Sequence, residues 1–347
     1  MSNFFEIFAR LIFHIPTGII QLVVNCHIFL DDFWMSLDQI SGLRIVDARF
    51  SFIPHNRMLL REFISDEDMQ EAMRLTNQPP HLMPIFYSIR IHLMKRFPAS
   101  PIRLFGYPSE KPLLWFIHRR NIYVKDHIII WPNPYITIVE EQFNDALQQF
   151  LKQYTFEEGS TALLPDSLTE MFLKFIHSNS DFSPTIYPTH LYFMNEEQQK
   201  LVSELELKLP NGYRFDEVDP SNDANIINQT WRHAGEGDLQ QTTEKLKCLP
   251  SAIIRYGDKP VSFEMCDPMG VHNHLYTLEE HRRKGLGTTV ELRLSQKCIN
   301  EGTWPFKFVE LYNKLSLDAS NRSPYWTRYE SQINTPRVIN FFGMNKK

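Results

Sequence analysis

Glycine is scarce in this chain and unevenly spread. The 347 residues hold 13 glycines, about half the usual share of ~7%. Residues 1–204 contain four of them (Gly18, Gly42, Gly106, Gly159), and residues 205–347 contain nine. Cysteine is also sparse. Cys26, Cys248, Cys266 and Cys298 form no C-x-x-C pair and no metal-type spacing. This excludes a disulfide scaffold and fits reduced thiols in an intracellular protein, with no metal expected. Nor is there an excess of positive charge. The net charge of −5 gives no global attraction to nucleic acid, so none is expected as a partner. Apolar residues at 43% and charged residues at 22% exclude a disordered or collagen-like chain. The 26 Phe and 13 Tyr supply two aromatic cores, and this length favours two domains.

Residues 11–30 lack Asp, Glu, Lys and Arg, and thirteen of the twenty are apolar, long enough to span a bilayer. His14, Pro16, Gln21, Asn25 and His27 are each costly in hydrocarbon. A packing segment, a membrane anchor and an extension all remain open, and membrane contact is not the favoured reading. Glu6 near the start and the absence of a small-x-small site fit neither a signal peptide nor a mitochondrial presequence.

From about residue 46 the pattern is globular. Met69, Met73 and Leu75 mark a helix over 66–76, stopped by Pro79-Pro80, and a second helix is expected over 85–96. Strand-like runs follow at 102–107, 113–118 and 127–131. Helices over 139–153 and 166–177 lead to a strand at 190–194, and Asn195 with Gln198 reads as a capping box. After residue 205 the order is α-α-β-β-β-α-β. Helices are expected over 223–234 and 238–249, each opened by Asp, then strands at 252–256, 260–266 and 271–278, a helix over 286–300 and a strand at 306–312. That last strand is reached through a helix and so should run parallel to the third. The fold class is α+β, a mixed α/β sheet in two tandem domains. Residues 1–45 form an apolar extension, 46–204 an N-terminal domain and 205–347 a C-terminal domain.

The sharpest local feature is His281-Arg282-Arg283-Lys284-Gly285-Leu286-Gly287, between the third strand and the helix. Three cations and two glycines at a helix N-terminus suit a phosphate, because free N–H groups point outward and glycine admits close approach. A solvated basic turn gives the same local sequence. The segment is neither a Walker A loop nor a Rossmann fingerprint.

R-x-x-G-x-G after three antiparallel strands resembles the acyl-CoA loop of the GCN5-related N-acetyltransferase (GNAT) superfamily. Trp231 with Gly235, the YGDKPVSFEMCDPMG hairpin and HLYTLEEHRRKGLG resemble the glycine N-acyltransferase family in particular. The likeness spans 223–313, extends over 60–204 through Phe97-Pro98-Ala99-Ser100, and does not reach 1–45. It implies two tandem acyl-CoA N-acyltransferase (GNAT-like) domains, of which only the second has a CoA loop. The implied activity is acyl-CoA:amino acid N-acyltransferase, with acyl-CoA as co-substrate and glycine or a similar small amino acid as partner. A mitochondrial location is implied by the family; the N-terminus does not support it, leaving the cytoplasm as the other reading.

The resemblance assigns Arg282, Gly285 and Gly287 to CoA, with Arg283, Lys284, Leu286 and Thr288 as neighbours. It places a carbonyl-polarising N–H near Leu275 or Tyr276, and Asn313 beside the pantetheine or the acceptor. The family's glutamate after the turn glycine is replaced by Val271. Candidate bases are therefore His272, then His274, expected on the same strand face, and Glu264. Strand-surface histidines and a solvated glutamate are the bland alternatives. Tyr312 and Tyr325 are candidates to reprotonate the thiolate. If no base replaces the lost glutamate, the chain would be a non-catalytic acyl-CoA-binding protein.

Overall fold

A computed structural model describes residues 58–332 and 335–347. The expected extension over 1–45, with its apolar stretch 11–30, lies outside the described residues. Among the described residues no helix is long and apolar enough to cross a membrane.

One series of elements occurs twice. The first copy is β1 (Arg61–Phe63), α1 (Asp66–Thr76), α2 (Met83–Leu93), β2 (Ile102–Tyr107), β3 (Leu114–Arg119), β4 (His127–Pro132), α3 (Glu140–Phe150), β5 (Thr161–Pro165), α4 (Asp166–Asn179) and β6 (Thr185–Phe193). A linking helix, α5 (Glu196–Glu204), follows. The second copy is β7 (Tyr213–Asp216), α6 (Pro220–Gln229), α7 (Asp238–Cys248), β8 (Ser251–Tyr256), β9 (Lys259–Cys266), β10 (His272–Thr277), α8 (Leu286–Asn300), β11 (Phe306–Glu310), α9 (Lys314–Arg322) and β12 (Val338–Gly343).

The strands join in one mixed sheet, ordered β1-β2-β3-β4-β5-β12-β6-β11-β10-β9-β8-β7. Each copy gives its last strand to the other. β12 pairs antiparallel with β5, β6 pairs antiparallel with β11, and β6 and β12 pair with each other. The sheet therefore runs unbroken past residue 205, and residues 338–343 lie beside the first copy's fifth strand. β11 runs parallel to β10, as its helical crossover requires.

Helix ends follow local chemistry. Ser65 caps α1 and Asn195 caps α5, each in a reciprocal capping box. Helix α6 differs from the sequence expectation. Asp219 caps it, Pro220 supplies its first turn, and it stops at Gln229. Trp231 and His233 thus lie in the loop beyond it. Helix α7 opens at Asp238 as expected, behind Gly237 in the left-handed region.

The second copy's sheet is covered on both faces. Phe263, Met265 and Ile253 pack against Ala224, Ile227 and Leu246 of α6 and α7. Ile254, Val261 and Cys266 pack against Leu286, Val290, Leu294 and Cys298 of α8. The first copy braces α8 from outside. Arg90 on α2 donates to the Gly302 carbonyl at 2.6 Å, to Thr303 Oγ1 at 3.1 Å and to the Glu301 carbonyl. A guanidinium at these terminal carbonyls satisfies acceptors that the helix leaves free.

Candidate functional site

The turn between β10 and α8 is built on two left-handed residues. Arg283 has φ 61° and Gly285, the residue before α8, has φ 78°. Glycine adopts this region freely, whereas an arginine does so at a cost. Buried Leu286 anchors the first turn of α8 in the core. Among the described residues no acceptor is found for the backbone N–H groups of residues 283–288. Six consecutive free donors at the positive end of a 15-residue helix form a preorganised anion cradle.

The cations divide the work. Arg282 is tied back, its Nε donating to the Thr277 carbonyl at 3.0 Å and its guanidinium lying 5.2 Å from the centre of the Tyr276 ring. Lys284 Nζ donates to Tyr213 Oη at 2.8 Å and to the Glu280 carbonyl at 3.3 Å. Arg283 is exposed and makes no ion pair or hydrogen bond among the described residues. Gly287 and Thr288 lie on the first turn of α8, where Thr288 is exposed.

Beside this cradle the sheet opens. β10 and β11 share a single registered pair, His272 with Lys307, whereas β11 pairs with β6 along its whole length. Past Asn273 the β10 edge therefore has no strand partner on that side. A bulge accompanies the opening, because the β9–β10 register shifts between Asn273 and Tyr276. His274 takes φ 59° at this point, and 41% of Leu275 is exposed.

The bulge corrects the expectation that His272 and His274 share a face. Strict alternation would place them together, but two residues now oppose one and the strand reverses its sides. His272 turns toward α8 and is fully enclosed, 3.3 Å through Nδ1 from Glu264 Oε2 and edge-on to Trp326. Burial alone would lower the His272 imidazole, but the Glu264 carboxylate and the Cys298 sulfur outweigh it and push it up to about 10. Burial raises the Glu264 carboxyl as well. His274 turns to the other face, its Nε2 3.0 Å from Thr230 Oγ1, between the rings of Trp231 and Phe263. Burial, helped by the Lys245 cation, pushes it down to about 4, so it is neutral near pH 7.

A second cluster, of which the sequence pointed only to Trp231 and Tyr312, lines the mouth of the opening. His233 Nε2 is 3.0 Å from Glu310 Oε1, and Tyr312 Oη is 3.5 Å from the same nitrogen. The His233 side chain is 40% exposed. Trp231 and Tyr187 present ring contacts to it, and Arg232 lies over the Tyr312 ring at 4.4 Å. Burial and a hydrogen bond to Glu310 push the Tyr312 phenol up to about 12. The only local signal was the Trp231-Arg232-His233 run, since Glu310 is 77 residues away in sequence. Asn313 Oδ1 accepts from Ser316 N–H at 3.2 Å and so caps α9. Tyr325, the other candidate proton donor, is half-buried against the cluster of Tyr192 and Trp326.

No family model matches the chain. An X-ray structure of a Drosophila protein superimposes with a TM-score of 0.66 at 12% identity, covering 82% of this chain and 97% of that one. A tandem GNAT protein from the clavulanic acid pathway gives 0.49 at 12% identity, covering 82% and 98%. An acetyltransferase structure from Pyrococcus horikoshii gives 0.46 at 14%, covering 84% and 91%. The chain shares the fold of the Drosophila protein, α+β with a mixed sheet. The other two overlap too loosely to carry an argument.

Proposed function

We propose that the chain is a CoA-dependent N-acyltransferase whose site lies entirely in its second copy. The observation that carries this is the opening between β10 and β11 directly beside six unpaired N–H groups. A diphosphate fits the N–H cradle, with exposed Arg283 and Lys284 adding charge. The thin pantetheine arm fits the gap in the sheet, which brings a thioester carbonyl beside the β10 bulge at Leu275 and Tyr276.

The acceptor amine reaches neutral water as an ammonium and must lose a proton before attack. His233, half in solvent and held by Glu310, is the base that fits the mouth of the opening. Val271 leaves no alternative at its own position, because it is buried in the apolar cluster that contains Met83 and Tyr87 of α2. The nitrogen adds to the thioester carbonyl, the C–S bond breaks and CoA leaves as a thiolate. Tyr312 stays protonated at neutral pH and supplies the proton to sulfur. His233, 3.5 Å away, returns the first proton to the tyrosinate, and the freed imidazole then takes the second proton, which the nitrogen sheds as the amide forms, and passes it to solvent. The resemblance to glycine N-acyltransferases supports glycine or a similar small amino acid as the acceptor. We place the protein inside the cell on the same footing.

The test is thiol release from a panel of acyl-CoAs with glycine and other amines. Turnover that collapses in His233→Ala is expected. Thermal stabilisation by CoA with no turnover against any amine would replace the enzyme reading with that of an acyl-CoA-binding protein.

A further inference from the structure

The enclosed group behind the bulge takes no part in the chemistry above. Cys266 ends β9, His272 opens β10 opposite it, and Cys298 comes from the last turn of α8. All three are buried. The two sulfurs are 3.5 Å apart, and one donor atom from each of the three residues lies within 4.8 Å of the others.

The histidine makes this more than a thiol contact. Both its ring nitrogens are buried without a hydrogen bond, and so is Glu264 Oε2. The 3.3 Å approach of Nδ1 to that oxygen is too poorly aligned to satisfy either. Buried polar atoms left unpaired are costly and rare, and an ion is one of the few things that accounts for them. A disulfide would satisfy the sulfurs and leave the imidazole as it is.

We infer that Cys266, Cys298 and His272 form a buried site for monovalent copper. Two thiolates and one imidazole are a soft, three-donor set, and soft thiolates select Cu(I) among first-row metals. Zn²⁺ sites take four ligands, and among the described residues these three alone converge. Glu264 Oε2, 3.3 Å from Nδ1, is placed to accept that nitrogen's proton once the ring turns toward the metal, leaving the other lone pair as the ligand, as carboxylates behind metal-bound histidines do. Binding forms two Cu–S bonds and one Cu–N bond, and every proton on the two sulfurs and on the ligating ring nitrogen leaves for solvent, with no change of oxidation state. Occupancy would fasten α8 to β9 and β10. The sequence hid the set because its members lie on three elements. The inference does not rest on the acyltransferase reading.

The full chain is loaded anaerobically with Cu(I) in competition with bicinchoninate, desalted, and examined by metal analysis and X-ray absorption. One copper per chain, with two sulfur scatterers and one nitrogen scatterer, is expected. Glu264→Gln should weaken retention about tenfold or more while circular dichroism stays native. Cys298→Ser should abolish it. Failure of the folded wild-type chain to hold copper would overturn the proposal. So would undiminished binding in the Cys266→Ser, Cys298→Ser double variant, or a four-coordinate zinc in place of copper.

Discussion

The two copies share an order of elements and differ at one junction. In the first copy, β4 pairs with β3 over six registered positions without a shift and with β5 over three. In the second copy, β10 is bulged and meets β11 at one position. The helix after β4 opens with Glu140 and Glu141, which repel an anion at a helix N-terminus. The helix after β10 opens behind Arg282, Arg283, Lys284 and Gly285. A closed sheet and an acidic helix start make a scaffold, while an open sheet and a basic, glycine-hinged start make a site. The fold is common to both, so what distinguishes the copies is local, the turn before α8 and the opening beside it.

This contrast can be broken in order of expected effect. His233→Ala should lower kcat by about 10²-fold or more, the usual worth of a positioned base, with CoA affinity retained. Glu310→Gln should lower it less, and stopped thiol-release assays separate the two. Next comes a feature the copies share, a histidine held neutral on the corresponding strand. Burial holds His127 of the first copy down to about 3 and His274 of the second to about 4, whereas both unfold to an ordinary histidine of about 6.5. Below that value the unfolded chain binds more protons, so stability is full above about pH 6.5 and falls as pH drops toward 4. The unfolding free energy from denaturant titrations should therefore fall between about pH 7 and pH 5, by about 4 kcal/mol for the two groups at 1.36 kcal/mol per unit each. A flat free energy across that window would show that these histidines are not held neutral.

Gly285→Val is the sharper local test. Its φ of 78° costs a branched residue about 1–2 kcal/mol, so the cradle should distort and CoA should bind roughly tenfold more weakly. Arg90→Ala removes the brace of the first copy on α8 and should cost about 1 kcal/mol, read as a lower Tm. The smallest effect completes the comparison. Glu140→Lys with Glu141→Lys places cations on the corresponding helix of the first copy and should leave CoA affinity unchanged, because the strands there stay closed.

Much of this fold is legible in the sequence where the signal is local. The capping box of Asn195 and Gln198, the span of α8, the span of β2 and the left-handed Gly302 after α8 all follow from neighbouring residues. The exchange of β6 and β12 is not legible, because a strand's own residues do not say which edge it will find. β5 escapes for a related reason: buried almost throughout, Thr161–Pro165 shows no alternation to read. At the site, the basic turn announces itself. The fates of His272 and His274 do not, since one left-handed residue reverses the alternation on which the expectation rested. The pairing of His233 with Glu310 likewise depends on α6 stopping at Gln229, with Thr230 as its C-cap.

Calorimetric titration of CoA into the full chain and into Gly285→Val tests the asymmetry most directly. One CoA per wild-type chain and roughly tenfold weaker binding in the variant are expected. Two CoA per chain, or equal affinity in the variant, would contradict a single site at the turn before α8.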